Sequence, residues 1–439
     1  MRKKTYVQVG LGGRHELFRD ALLGPFSRWC ELVALCDINR GRLNLSRQRA
    51  LNQFHKEIDT WHADQFDDML LSIRPDYVIV TSIDSTHDDY ICRALEKGCH
   101  VITEKPLTID SERCRKILET QRRTGKTVKV AFNYRYSPVR TQIKQLLEQD
   151  MIGRVLSIDF HWMLDTIHGA DYFRRWHRQK KNSGGLLVHK ATHHFDLINW
   201  WIDSLPESVL ASGRKRFYTP AMAGELGLTS RTDRCMTCPE ASVCAFFLDL
   251  KRNSNLNAMY AECEHYDGYY RDACVFDNLV DIEDCMNVIV NYRNGVKMSY
   301  SLNAFMPWEG YIIAFNGTKG RLEHKLRETV YINADGKIPA ETEKDGSWIW
   351  FYPHSGKESE IPVRESSGGH GGGDDLMLHH LFGSPVETDP LGRAADHIAG
   401  AGSILTGIAA NRSIKERRVI EVEELIAGLL KGFFKKRQS

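Results

Sequence analysis

Over residues 1 to 132, short apolar runs alternate with helical patterns, and this rhythm commits the stretch to a parallel sheet clothed by helices. The runs are TYVQVG, ELVALCD, DYVIVTS, HVITEK and VKVAFNY. Between them lie helical patterns from about Arg14, through Gln53, around ICRALEKG, and from Asp110 to about Thr124. Parallel neighbours need long crossovers, so βαβ units follow, and ligands bind outside the carboxyl ends of such strands. Beyond residue 132 the pattern turns to locally paired strands, as in MNVIVNYRNGVKMSYSLNAF, where Asn294 and Gly295 suit a type I′ turn. The expected fold is α/β: an N-terminal doubly wound parallel sheet of Rossmann type (1–132), then an α+β domain (133–439). That second domain should hold a large, open, mainly antiparallel sheet and a cysteine-rich insertion at about 230–285.

A chain of 439 residues suits two domains, and 42% apolar content can fill their cores. No run approaches the roughly 20 apolar residues that cross a bilayer. The start, MRKKTYVQVG, lacks the pattern of a secretory leader, so a cytoplasmic setting is expected. With 59 basic against 57 acidic residues, nothing favours nucleic acid as a partner, and the basic tail KGFFKKRQS reads as a frayed end. Eleven cysteines are too few for a disulfide scaffold.

After the first strand, GLGGRH places Gly10 and Gly12 in the first two positions of G-x-G-x-x-G, with His15 in the third. The first glycine permits a tight turn and the second lets a pyrophosphate approach backbone N–H groups. His15 implies a wider helix crossing or a ring edge facing the cofactor. Asp37 ends the second strand, where a carboxylate accepts from the adenosine ribose hydroxyls and repels a 2′-phosphate, which favours NAD over NADP. Arg40 and Arg42 could serve such a phosphate instead, and Asp37 could be a mere helix cap. Gly13, Arg14 and Ile38 complete this part of the expected cofactor site.

The strand HVITEKP delivers Glu104, Lys105 and Pro106 to its carboxyl end, beside the cofactor crevice. Partial desolvation there lowers a lysine's pKa and fits it to exchange a proton with an alcohol. With GLGGRH, VTSIDSTHDDYICRALEKG, ITEKP and GGLLVHKATHHFD, nearly the whole chain resembles the glucose-fructose oxidoreductase and inositol dehydrogenase (Gfo/Idh/MocA) family. The resemblance implies that Lys105 is catalytic, that the Lys105–Pro106 bond is cis, and that Thr81, Ser82 and His87 line the nicotinamide side. It also implies a D-x-x-x-H pair working with the lysine. Here those positions read His189 and His193, so the first role does not simply transfer. At offsets of four and three, His189, His193 and Asp196 should share one helix face toward substrate, with Lys190 and His194 pointing elsewhere. Satisfied core histidines, or a two-histidine, one-carboxylate metal site, are the alternatives.

HGADYFRRWH gathers Tyr172, Arg175, Trp176 and His177 before that helix, a density suited to stacking on sugar rings and bonding hydroxyls. A surface helix with an aromatic stripe is the plain alternative. SSGGHGGGDD is either a flexible linker or a glycine-rich loop carrying His370 and Asp374 over the pocket. RCMTCPEASVC spaces Cys235, Cys238 and Cys244 as C-x2-C-x5-C, with Cys274 as the preferred fourth residue. Structural zinc, an iron-sulfur cluster, buried thiols or a local disulfide would each account for it.

These features point to an NAD-dependent oxidoreductase acting on a ring hydroxyl of a sugar or sugar derivative. Glycoside cleavage by transient oxidation, elimination and re-reduction is the rival, with His189 as second base, and a non-catalytic nucleotide sensor is a third reading. The open sheet face implies a homo-oligomer.

Overall fold

The structure, a computed structural model, describes residues 2–328, 346–364, 369–383 and 388–426. Six strands build the first sheet: β1 (Lys4–Val9), β2 (Cys30–Asp37), β3 (Asp59–His62), β4 (Tyr77–Val80), β5 (His100–Thr103) and β6 (Val128–Val130). They are parallel in the order β3-β2-β1-β4-β5-β6, so the direction of winding reverses between β1 and β4. That reversal opens the crevice in which the glycine loop lies. Val7, Val9, Val78, Val80 and Val101 are fully or almost fully buried in these strands, as a sheet covered on both faces requires.

The second sheet comprises β7 (Val155–Asp165), β8 (Pro206–Arg214), β9 (Cys285–Tyr292), β10 (Lys297–Met306), β11 (Glu309–Gly317), β12 (Gly320–Glu328), β13 (Gly346–Pro353) and β14 (Ser359–Ile361). All its pairs are antiparallel except β10 with β7. Two short strands from late in the chain close the edges. β15 (Ala395–Asp396) pairs antiparallel with β6 of the first sheet, and β16 (Ile420–Glu421) pairs with β8 of the second.

Along β7, Ile158, Phe160 and Trp162 face inward at a period of two and are buried. The outer face carries exposed Leu156, Leu210, Ile289 and Ile312. The small-residue helix His397–Glu416 packs so closely that a Cβ on Gly407 would stand 2.0 Å from the Leu187 carbonyl oxygen. No described helix is long and apolar enough to cross a membrane.

Two local expectations are corrected. The β9–β10 turn is not type I′, because Asn294 keeps a negative φ while Gly295 alone adopts +88°. Gly295 N–H donates to the Tyr292 carbonyl at 2.9 Å, and the Asn294 amide is tied to the Ile202 carbonyl. The glycine-rich segment from residue 369 is neither linker nor loop but the start of a helix, Gly369–Phe382. It docks because Met377, Leu378 and Phe382 join a core cluster with Tyr6, Phe18 and Phe26. His370 falls in its first turn with its side chain outside the described residues, as are residues 365–368.

Candidate active site at the strand ends

Gly10 is in the left-handed region (φ +88°), and a Cβ there would lie 2.4 Å from Ser82 Cα, so only glycine lets the ends of β1 and β4 meet. Thr81 Oγ1 donates to the Gly10 carbonyl at 2.6 Å and fastens the turn. The outer face of the loop is open: at Gly12 and Gly13 an added Cβ would meet only the Tyr260 hydroxyl, at 3.9 and 3.7 Å. Gly13 N–H points outward to that hydroxyl at 3.1 Å. This is a donor arrangement fit for a pyrophosphate at a helix N-terminus.

Asp37 stands under the loop, accepting from Leu11 N–H at 2.5 Å and Asn39 N–H at 2.7 Å. Arg42 reaches both Asp37 (3.3 Å) and Asp267 of the insertion (2.5 Å), while Ile38 is half exposed beside them. Asn39 also donates to the Cys263 carbonyl. The insertion therefore lies directly against the nucleotide loop, a contact that sequence spacing could not reveal.

His15 does not turn a ring edge outward. Its Nδ1 lies 2.6 Å from the Gly12 carbonyl and its Nε2 2.9 Å from Ser46 Oγ, bracing the first helix on the second. Burial pushes its pKa down to about 3, so the ring stays neutral. His87 is likewise buried, with Nδ1 at the Pro106 carbonyl (2.8 Å) and Nε2 at the Ser82 carbonyl (3.1 Å). It ties two strand ends together. Arg14 spans Glu104 (2.6 Å) and Asp374 (2.9 Å), and Asn133 also donates to Asp374.

Lys105 precedes a cis peptide bond to Pro106. Its Nζ lies 3.4 Å from His189 Nε2 and donates to the His189 carbonyl at 3.2 Å. Burial lowers the Lys105 ammonium to about 8, against the opposing attraction of Asp84 and Glu104. His189 Nδ1 in turn lies 2.5 Å from Asp84 Oδ2. Burial raises Asp84 well above the usual carboxylate range and pushes His189 well below the usual imidazole range. With the shared proton on Nδ1, the Nε2 lone pair faces Lys105, so Asp84, His189 and Lys105 form one line for proton movement.

The shared-face expectation for His189, His193 and Asp196 is corrected for His189. The helix Leu186–His189 is joined through Lys190 to Ala191–Trp201 with an i to i−3 bond, His193 N–H to the Lys190 carbonyl; His189 meets Asp84 and Lys105, whereas His193 and Asp196 both meet the segment Phe132–Arg135. His193 stacks on Tyr134 with centroids 4.2 Å apart. Asp196, 1% exposed, is held by Nε and Nη2 of Arg135 at 2.7 and 2.5 Å. Lys190, expected to point elsewhere, reaches the hydroxyl of the same Tyr134 as well as Glu309, whereas His194 does turn away, to the Tyr300 hydroxyl.

The aromatic segment gathers around His189. Tyr172 and Trp176 present T-shaped contacts to its ring at 5.6 and 5.7 Å, and His177 lies at 4.1 Å, itself stacked under Trp176. Arg175 is held by Asp171 at 3.1 Å, and Asp171 is shared with Arg271 of the insertion. Cys235, Cys238, Cys244 and Cys274 border one cavity elsewhere in the insertion. Among the described residues, no three His, Cys, Asp or Glu side chains stand close enough together to hold a single metal ion, at His189–Asp196 or here.

Two family models match the chain: "Oxidoreductase family, NAD-binding Rossmann fold" over residues 4–132, and "Oxidoreductase family, C-terminal alpha/beta domain" over residues 144–422. The putative oxidoreductase YteT of Bacillus subtilis (strain 168) is 37% identical over 435 residues, covering 96% of this chain and 98% of YteT. The D-glucoside 3-dehydrogenase of Escherichia coli (strain K12) is 33% identical over 125 residues, 28% of this chain and 34% of that enzyme. Among solved structures, the WlbA dehydrogenase of Bordetella pertussis, in complex with NADH and UDP-GlcNAcA, has the same fold. It has a TM-score of 0.62 at 17% identity and covers 96% of this chain and 99% of its own. With its NAD-binding Rossmann domain and its second, mostly antiparallel sheet, the chain belongs to the Gfo/Idh/MocA oxidoreductase family.

Proposed function

We propose that this oxidoreductase is an NAD-dependent dehydrogenase that oxidises a ring hydroxyl of a sugar or sugar derivative, with Lys105 as the proton acceptor. The observation that carries the reading is the Asp84–His189–Lys105 line, set beside the glycine loop and walled by Tyr172 and Trp176. The naming of one relative as a D-glucoside 3-dehydrogenase, and the NADH and nucleotide sugar in the WlbA structure, support the same class.

The N–H groups of the glycine loop would hold the pyrophosphate and Asp37 the adenosine ribose. Arg42 is already paired with Asp37 and Asp267, and the Asp37 carboxylate would repel a 2′-phosphate, which favours NAD. When bound, the nicotinamide supplies the hydride acceptor. Lys105, as the free amine, takes the hydroxyl proton, and His189 backed by Asp84 relays it. Tyr172 and Trp176 offer ring faces to the apolar side of a sugar, and Arg175 and His177 offer polar groups at its rim. The apolar residues on the open outer sheet face support pairing with a second copy of the chain.

One observation favours a second reading. The His189–Asp84 pair is a second proton-transfer group beside Lys105, as elimination of an aglycone next to a transient ketone would require. Incubation with NAD and a panel of sugars and glycosides, following NADH and products, separates the two. Oxidation predicts one NADH per oxidised sugar and no aglycone, whereas aglycone release at constant NAD would replace it with the elimination reading.

A further inference from the structure

The insertion reaches the glycine loop through one buried side chain, Tyr260. It sits in the π-helical turn Asn257–Ala261, where Glu262 N–H donates five residues back to the Asn257 carbonyl at 2.9 Å. Single π turns recur at functional sites. Three contacts pin this segment to the start of the helix Arg40–Phe54. The Asn39 amide donates to the Cys263 carbonyl at 2.9 Å, Arg42 pairs with Asp267 at 2.5 Å, and a Cβ on Gly41 would stand 2.7 Å from both Cys263 Sγ and the Tyr266 ring. Tyr269 packs edge-on against the Tyr260 ring, with centroids 6.0 Å apart. The hydroxyl is thereby delivered to the loop, where it accepts from Gly13 N–H at 3.1 Å. Among the described residues it makes no second hydrogen bond, so its own proton is left to donate.

We propose that Tyr260 is a ligand of the cofactor's pyrophosphate. Its hydroxyl accepts from Gly13 N–H and donates to a pyrophosphate oxygen, passing the loop's donor outward by one group. The inference rests on the reading of the glycine loop as the pyrophosphate site. A hydroxyl that accepts one hydrogen bond donates the next more strongly, and bonds to a charged oxygen are the stronger kind.

Charge along the insertion has the matching polarity. Beside Tyr260, the Arg271 guanidinium lies 5.9 Å from the ring centre, and Arg271 and Arg175 share one carboxylate, Asp171, at 2.6 and 3.1 Å. Two cations there face one anion. At the other end Arg42 stands between two carboxylates, Asp37 and Asp267, so anions are in excess. A pyrophosphate is drawn to the first end, and ribose hydroxyls, which donate to carboxylates, to the second. Tyr260 makes the insertion one wall of the cofactor site, so loss of its hydroxyl should show chiefly in the rate at which cofactor leaves.

The test is fluorescence titration and stopped-flow release of NADH with the full chain, wild type against Tyr260→Phe, with ADP-ribose and adenosine as competitors. Tyr260→Phe should weaken NADH and ADP-ribose by about 10- to 100-fold, the range of a hydrogen bond to a charged group, and leave adenosine, which has no pyrophosphate, unchanged. Unchanged affinity for NADH and ADP-ribose overturns the proposal. Tighter binding also overturns it, as the sign of a hydroxyl that competes with the pyrophosphate for Gly13 N–H. Equal weakening of adenosine overturns it by assigning Tyr260 to the shape of the loop alone. Wild-type protein that binds neither NADH nor ADP-ribose refutes the cofactor-site reading itself, and the proposal with it. A measurement on wild type stands even where the variant fails to fold: ADP-ribose should slow hydrogen exchange in peptides covering residues 253–267. Exchange there that is indifferent to ADP-ribose overturns the proposal.

Discussion

The lowered pKa of Lys105 has a direct kinetic consequence. At a pKa of about 8, roughly 9% of the side chain is free amine at pH 7 and roughly 90% at pH 9. At the ordinary value of 10.5, about 0.03% would be free at pH 7, some 300-fold less. Oxidation by the wild-type protein should therefore climb about tenfold from pH 7 to pH 9 and then level off. Lys105→Arg keeps the charge and much of the reach, but a guanidinium does not give up its proton. It should lower turnover by about 10² to 10⁴ and abolish that pH limb. The assay is nicotinamide absorbance with whichever sugar of the panel is oxidised. A substrate-independent check is pulse acylation of the protein across pH 6 to 11, with the Lys105 peptide quantified by mass spectrometry. Half-maximal labelling near pH 10.5, or wild-type-like turnover by Lys105→Arg, would refute the reasoning.

Because the folded-state pKa of Lys105 lies below its unfolded value, the folded protein binds fewer protons between pH 8 and 10.5. Thermal stability of wild type relative to Lys105→Met should thus rise with pH through that window, and parallel melting curves at all pH values would contradict it. Asp267→Ala leaves Arg42 with one carboxylate partner instead of two. It should narrow the NAD-to-NADP ratio of dissociation constants about tenfold, or about 1.4 kcal/mol, as read by cofactor titration, while an unchanged ratio places discrimination elsewhere. Arg135→Ala strands the buried Asp196 carboxylate and should cost about 3–5 kcal/mol of stability. A melting temperature equal to wild type would show that the pair carries no such load.

What the sequence revealed tracks how local each signal is. Five of the six parallel strands announce themselves as apolar runs, but β3 (DTWH) is short, half exposed and without alternation, so nothing marks it. Lys105 was legible because a strand end and a proline fix its place. Asp84 was not, although it lies within the SIDSTHDD run, because its partner His189 is 105 positions away. One signal could have found it: a histidine standing where the family resemblance implies an aspartate leaves the site short of a carboxylate, which another loop at the same crevice can supply. The separation of His189 from His193 and Asp196 follows a tightened turn at Lys190 that periodicity does not register. The glycines from residue 369 look like a linker because helix propensity is local, whereas the docking of Met377 and Phe382 against the first domain is not.

The strand β15 and the helix Gly369–Phe382 also determine when the nucleotide domain can be completed during synthesis. Residues 4–132 contain its whole parallel sheet, yet β6 is an open edge until Ala395 and Asp396 arrive. Tyr6, Phe18 and Phe26 likewise lack their cover until Phe382 packs on them. A nascent chain must therefore carry an unfinished cofactor domain until some 250 further residues have left the ribosome. A fragment ending near residue 132 would display both a bare strand and a bare aromatic face, features that drive aggregation. Two short pieces from late in the chain, the helix Gly369–Phe382 and the strand Ala395–Asp396, thus complete a domain whose sheet ends at Val130.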